Sequence, residues 1–192
     1  MHSSKGEIRI IAGEYRGRRI KVASRPGLRP TPDRVRETLF NWLGQWLDGL
    51  SCLDLFAGSG ALGFEAASRG AARVVMVESD RAAFSALEAA RGRIGARAVE
   101  LVHGDALQYL ERARERFDVV FLDPPFRQNA LPAVLERLEP RLAGKARLYV
   151  ESSAPRAPGG GWSELKRSRA GQVNYQLFEW RGDDQGGLPG HV

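Results

Sequence analysis

The chain has 192 residues, of which 43% are apolar, which suits one domain, or one domain with a small appendage, around a real core. No apolar run is long enough to span a bilayer, and Met1 to Gly6 lead into no apolar stretch, so neither a membrane span nor a secretory signal is expected and a cytoplasmic protein is. The net charge is +6, but residues 1–36 hold ten Lys/Arg against three Asp/Glu while the remainder is close to neutral, so the basicity is an N-terminal property.

Residues 7–22 predict a β-hairpin. Ile8 and Ile10 alternate with Glu7 and Arg9, Glu14-Tyr15-Arg16-Gly17 supplies turn chemistry, and Arg19-Ile20-Lys21-Val22 alternates again. Arg9, Arg16, Arg18, Arg19, Lys21, Arg29, Arg34 and Arg36 are interleaved with apolar residues. That pattern points to a folded basic surface for a polyanion; a merely solvated charged face is the plainer reading. Residues 24–30 read as a linker. Thr31 then reads as an N-cap, with Pro32 at the first helical position and Asp33 in the first turn. The helix that follows places Val35, Leu39, Trp42, Leu43, Trp46 and Leu47 on one face, as core.

From residue 50 the pattern changes to short apolar strands at 50–56, 73–78, 98–102, 117–122 and 146–150, separated by helices near 61–69, 81–93, 105–114 and 129–140. Such alternation implies an α/β, Rossmann-like parallel sheet covered on both faces. Two strands at 163–168 and 173–180, joined by Ala170-Gly171-Gln172, add a terminal hairpin; this fits the seven-stranded methyltransferase sheet. The expected organisation is a basic extension over 1–48, the main domain over 49–182 and a disordered tail over 183–192. The single Cys52, beside Leu53, reads as a buried thiol, and His2, His103 and His191 have no metal-ligand spacing.

The first strand ends in Leu53-Asp54-Leu55-Phe56-Ala57-Gly58-Ser59-Gly60-Ala61-Leu62-Gly63. Glycines are needed where the backbone turns sharply against a ligand, but this loop alone suits NAD, FAD or S-adenosylmethionine. Glu78, followed by Ser79, ends the second strand, where a carboxylate can accept from both ribose hydroxyls. Asp54 and Asp105 distinguish the cofactors. The Asp54 carboxylate attracts the methionine ammonium of S-adenosylmethionine and repels a pyrophosphate. Asp105, followed by Ala106, is placed to accept from an adenine amino group, although a lone acid there is as readily a helix cap.

The fourth strand ends in Asp123-Pro124-Pro125-Phe126. Two prolines remove two N–H donors, so the local polar groups are acceptors, the Asp123 carboxylate and the Pro124 carbonyl. An exocyclic amine presents two N–H donors and matches them. Phe126 is placed to stack on a flipped base. Asp/Asn-Pro-Pro-aromatic is the amino-methyltransferase signature.

Three segments carry a narrower resemblance: Arg9-Ile10-Ile11-Ala12-Gly13 with Arg16-Gly17-Arg18-Arg19-Ile20, the run from Arg29 to Asn41, and Asp54 to Gly60 with Asp123 to Phe126. Together they resemble the bacterial 16S rRNA (guanine-N2)-methyltransferases of the RsmD type, over about residues 7–180. The resemblance implies methylation of a guanine N2 in small-subunit rRNA, on an assembled or partly assembled subunit; a monomer is expected. It implies that Asp54, Gly58, Gly60, Glu78 and Asp105 line the S-adenosylmethionine site, that Asp123 to Phe126 form the acceptor site, and that the Arg-rich extension holds rRNA backbone. A DNA adenine-N6 methyltransferase and a protein glutamine methyltransferase share the chemistry. An NAD-dependent oxidoreductase and a non-catalytic Rossmann RNA-binding module share the fold.

Overall fold

The computed structural model describes residues 6–22, 31–124 and 131–182. The linker at 24–30, Arg29, Pro125, Phe126 and the tail from 183 lie outside them. Two short strands, β1 (Glu7–Arg9) and β2 (Arg19–Lys21), pair antiparallel with Ile8 opposite Ile20, as the alternation predicts. Helix α1 (Asp33–Leu43) precedes an alternating series: β3 (Ser51–Asp54), α2 (Ala61–Ser68), β4 (Arg73–Glu78), α3 (Arg81–Ile94), β5 (Val99–His103), α4 (Ala106–Arg112), β6 (Phe117–Leu122) and α5 (Leu131–Leu138). The chain closes with β7 (Leu142–Ser152), β8 (Trp162–Ala170) and β9 (Val173–Trp180).

Strands β3 to β9 form one seven-stranded sheet in the order β5-β4-β3-β6-β7-β9-β8. The first five are parallel, and β9 inserts antiparallel between β7 and β8. The order reverses between β3 and β6, so a crevice opens at the carboxyl ends of those strands, where open α/β sheets bind ligands. One apolar cluster fills the face that carries Cys52, Val74, Met76, Phe121 and Tyr149; it includes Val35, Leu39 and Phe40 of α1 and Phe64 of α2. The opposite face packs Leu53, Val75, Val120 and Val150 against Leu110 of α4 and Val134 of α5. Cys52 is buried, and burial pushes its thiol far above the ordinary range, which leaves it inert.

Three expectations for the N-terminal region are corrected. Pro32, not Thr31, stands at the N-cap of α1: its ψ of 149° is extended, and Thr31 lies one residue further out with its hydroxyl turned to Glu151. Trp46 is not core but 58% exposed, because Gly44 (φ 99°) ends the helix after Leu43 and the helical spacing stops with it. Trp42, still on the helix, stacks on Tyr175 with ring centroids 5.3 Å apart. Arg36, grouped by charge with the basic surface, is fully buried. It donates to Asp33 at 2.6 Å, to Glu65 at 3.3 Å and to the Arg9 carbonyl at 2.9 Å. It stands at helical spacing from Leu39 and Phe40, on the buried face of α1, and cannot reach a phosphate.

The β1–β2 pair is tied to α2 by the fully buried Glu65. This carboxylate accepts from Ile11 N (2.8 Å), Ala12 N (3.1 Å), Arg36 and Arg69 Nε (2.8 Å). Gly13 (φ 82°) lies against the Ser68 carbonyl, where a Cβ would fall 1.7 Å from that oxygen, so no other residue fits. Ile10, Tyr15 and Ile20 complete the seal by joining the cluster under α1 and α2.

Candidate active site on the carboxyl rim of the sheet

Five strand ends bring acidic side chains to one rim. On β3, Asp54 is 2% exposed and accepts from Gly63 N at 3.1 Å, which pins the carboxylate under the first turn of α2. Burial, then the nearby Glu78 and Glu151 charges, push its carboxyl up to about 7 against the pull of the Gly63 and Phe56 amides. The loop between them turns at Gly58 (φ 51°) and Gly60 (φ 78°), and a Cβ on Gly60 would strike Phe64 and Leu87 at 2.6–2.7 Å. Phe56 is half-buried against the α4–α5 face.

On β4, Glu78 is 9% exposed and receives Gly58 N and Asp80 N, each at 2.7 Å, one on each oxygen. A carboxylate has about four acceptor positions, so two remain for a pair of ribose hydroxyls. Ser79 is exposed, and its carbonyl lies 3.2 Å from His103 Nε2. Beyond β5, Asp105 is the N-cap of α4; its Oδ1 accepts from Leu107 N (2.9 Å) and Gln108 N (3.1 Å), and Ala106 opens the helix, buried. Beside it, Gly104 borders open space, with no atom within 4 Å of a built Cβ. A buried acid at the glycine turn, a part-free acid for hydroxyls and an acid facing open space therefore fit an adenosyl group with a cationic amino-acid end.

The other half of the rim is the end of β6. Asp123 and Pro124 are half-buried, and among the described residues no donor reaches the Asp123 carboxylate or the Pro124 carbonyl. Burial, then the charges of Glu151 and Asp54, hold the Asp123 carboxyl well above the usual carboxylate range. The ladder explains the grouping. Asp54 pairs with Phe121, Phe121 with Tyr149, and Leu122 with Val150. Side chains alternate, so Asp54, Asp123 and Glu151 fall on one face of three adjacent strands, above Cys52, Phe121 and Tyr149.

Neither Glu151 nor Tyr149 was singled out in the sequence, and Thr31 was read only as a helix cap. It is 6% exposed and accepts from the Thr31 hydroxyl and the Tyr149 hydroxyl, each at 2.9 Å, both at Oε1. A signal was available: Tyr149-Val150-Glu151 ends an apolar strand next to the strand that delivers Asp123.

Of the basic residues expected to form a surface, Arg9, Arg16, Arg18, Arg19, Lys21 and Arg34 are exposed. Arg9 faces Asp33 at 3.9 Å and Arg19 faces Glu7 at 3.2 Å. Arg18 lies over the Tyr15 ring at 5.4 Å and donates to the Ile94 carbonyl at the end of α3. Among the described residues, Arg16, Lys21 and Arg34 have no ion-pair partner.

A family model described as conserved hypothetical protein 95 matches residues 8–179. Ribosomal RNA small subunit methyltransferase D of Escherichia coli K12 is 45% identical over 184 residues, covering 93% of this chain and 92% of that protein. The chain belongs to the ribosomal RNA small subunit methyltransferase D family. The family protein of Haemophilus influenzae is 40% identical over 185 residues, with 92% and 96% of the two chains covered. The solved structure of Escherichia coli yhhF superposes with a TM-score of 0.84 at 43% identity, covering 93% of this chain and all of that one (100%). SMU.776, solved in complex with SAH, shares the fold, with a TM-score of 0.71 at 15% identity over 93% of this chain and 57% of that one. The family match spans both the basic extension and the rim, in line with the segments on which the sequence resemblance rests.

Proposed function

We propose that this methyltransferase moves the methyl group of S-adenosylmethionine to the exocyclic N2 amine of one guanine in the 16S rRNA of the small ribosomal subunit, assembled or in assembly. The observation that carries the reading is the adjacency of Asp54 and Asp123-Pro124 at the switch point of the sheet. The relatives' names supply the rRNA, and the acceptor-only chemistry of Asp123 and Pro124 supplies the amine.

S-adenosylmethionine, when bound, supplies an electrophilic methyl on a sulfonium, already a good leaving group. Asp54 attracts the ammonium, Glu78 accepts from the ribose hydroxyls and Asp105 faces the adenine end. Asp123 and the Pro124 carbonyl grip the two N–H groups of the base amine. That grip turns the nitrogen toward the methyl and offsets the positive charge that develops on it. Phe126 and Pro125 complete the acceptor tetrapeptide in the sequence, and Phe126 stacks on the flipped base. The exposed Arg9, Arg16, Arg18, Arg19, Lys21 and Arg34, with Arg29, hold RNA phosphates by releasing counterions. The protein acts as a monomer in the cytoplasm; among the described residues no helix is long and apolar enough to cross a membrane.

Labelled S-adenosylmethionine offered with hypomethylated small subunits, free rRNA and DNA, followed by nucleoside mass spectrometry, tests this. N2-methylguanosine from the ribosomal substrate is expected. N6-methyladenine would overturn the acceptor and the partner, and no product with any substrate would overturn the activity.

A further inference from the structure

Glu151 is a buried carboxylate to which the scheme above gives no task. It lies inside the rim, and its partners are two neutral hydroxyls, Thr31 from the segment before α1 and Tyr149 from its own strand. No Lys or Arg among the described residues pairs with it. A buried charge without a counter-charge is costly, and an apolar side chain would fill the same place at less cost. What Glu151 does have is a position: the Leu122–Val150 pairing brings it next to Asp123, on the same face of the sheet.

We propose that Glu151 is a positioning residue for Asp123: held ionised by the Thr31 and Tyr149 hydroxyls, it makes Asp123 basic enough to take the proton that the amine releases on methylation. The inference rests on the methyl-transfer reading. The balance is simple. The nitrogen lone pair forms the bond to the methyl carbon while the carbon–sulfur bond breaks and its electron pair stays on sulfur. The nitrogen then carries one hydrogen too many and a positive charge. That proton passes to the Asp123 carboxylate, and both charges vanish. A carboxylate of ordinary acidity is a poor base at neutral pH; efficiency improves as its proton affinity approaches the working pH.

The surroundings act in the required direction. Among the described residues, the groups facing Glu151 are Asp123 from β6, Asp54 from β3, Tyr149 from β7, Thr31 before α1 and Tyr175, its register partner on β9, and none of these is a cation. Burial raises the Glu151 carboxyl, and the Tyr149 and Thr31 hydroxyls pull it back down. Among the described residues no such hydroxyl reaches Asp123, and the Glu151 charge raises it further. Glu151 therefore ionises first and Asp123 keeps the higher proton affinity. The two titrate as a pair, so the macroscopic behaviour is what an experiment reads.

The test is the single-turnover rate of methyl transfer against pH, at saturating S-adenosylmethionine and small subunits, for wild type and Glu151→Gln. The amide is isosteric and its oxygen still accepts from Thr31 and Tyr149. The rate of the wild type rises with pH to a plateau. In Glu151→Gln the rising limb moves to lower pH by at least tenfold in proton concentration and the plateau falls about tenfold, while S-adenosylmethionine affinity stays within twofold. A limb that does not move overturns the inference, because lost packing alone leaves it in place. Should the variant not fold, carboxyl-carbon NMR of the wild type decides. Two inflections in the Asp123 titration support the coupling, and a single one at ordinary carboxylate pH overturns it. Absence of wild-type turnover at every pH would instead overturn the methyl-transfer reading, and the NMR titration would still judge the pair.

Discussion

The two halves of the rim hold their carboxylates by different donors. On the β3–β4–β5 side, Asp54, Glu78 and Asp105 accept from backbone N–H groups of Gly63, Gly58, Asp80, Leu107 and Gln108. On the β6–β7 side, Glu151 accepts from two side-chain hydroxyls, one of them 120 residues away. A backbone N–H survives every substitution except proline, and it cannot turn about a side-chain bond. A hydroxyl is lost with one substitution and turns about its bond. The half proposed to hold the cofactor is thus electrostatically fixed, whereas the half proposed for the acceptor is adjustable, which suits the proton transfer proposed there.

The contrast can be broken most severely at Asp123. Asp123→Ala is expected to lower methyl transfer roughly a thousandfold while S-adenosylmethionine affinity, read by calorimetry, changes only a few-fold. Equal losses of both would abolish the division into halves. The next largest effect is expected at Arg36, whose removal leaves Glu65 buried without that partner. Arg36→Met should cost about 3–5 kcal/mol in urea unfolding. Arg34→Gln, two residues from it but exposed, should stay within about 0.5 kcal/mol and lower the salt slope of RNA binding by about one. A stable Arg36→Met protein would show the buried network to be dispensable.

A smaller effect concerns Asp54. Its carboxyl sits at about 7 in the free protein against an ordinary 3.8, so S-adenosylmethionine affinity should climb as pH rises through 7. The stability effect has the opposite sign. A raised carboxyl stabilises fully below 3.8, and that contribution is lost as pH rises through 7. Asp54→Asn should therefore lose the pH dependence of binding and, without cofactor, melt above wild type at pH 8. A lower melting temperature would mean that the Gly63 contact outweighs burial. The smallest effect is expected at Asp105. Asn caps a helix about as well as Asp, so Asp105→Asn should change stability by no more than about 0.5 kcal/mol.

Legibility follows the same line. The strands and helices from residue 50 onward were readable because their apolar periods are local, and the cofactor acids were readable because each sits within 20 positions of its backbone donor. The contact between Thr31 and Glu151 was not, since nothing in either neighbourhood points across 120 residues. Arg36 was misread because charge was weighed ahead of periodicity, although its spacing to Leu39 and Phe40 marks the buried face. Trp46 was misread for the converse reason: the period was carried past Gly44, where the helix had ended.

Glu65 has a further consequence. Two strands of three residues cannot persist alone, yet here their connecting loop is fastened to α2 by one carboxylate and their apolar residues lie in the main core. The amides of Ile11 and Ala12 should therefore exchange with solvent hydrogen as slowly as those of the sheet, opening only when the whole domain opens. If the basic face above them holds RNA as proposed, it is a rigid template, and it is the RNA that must change shape.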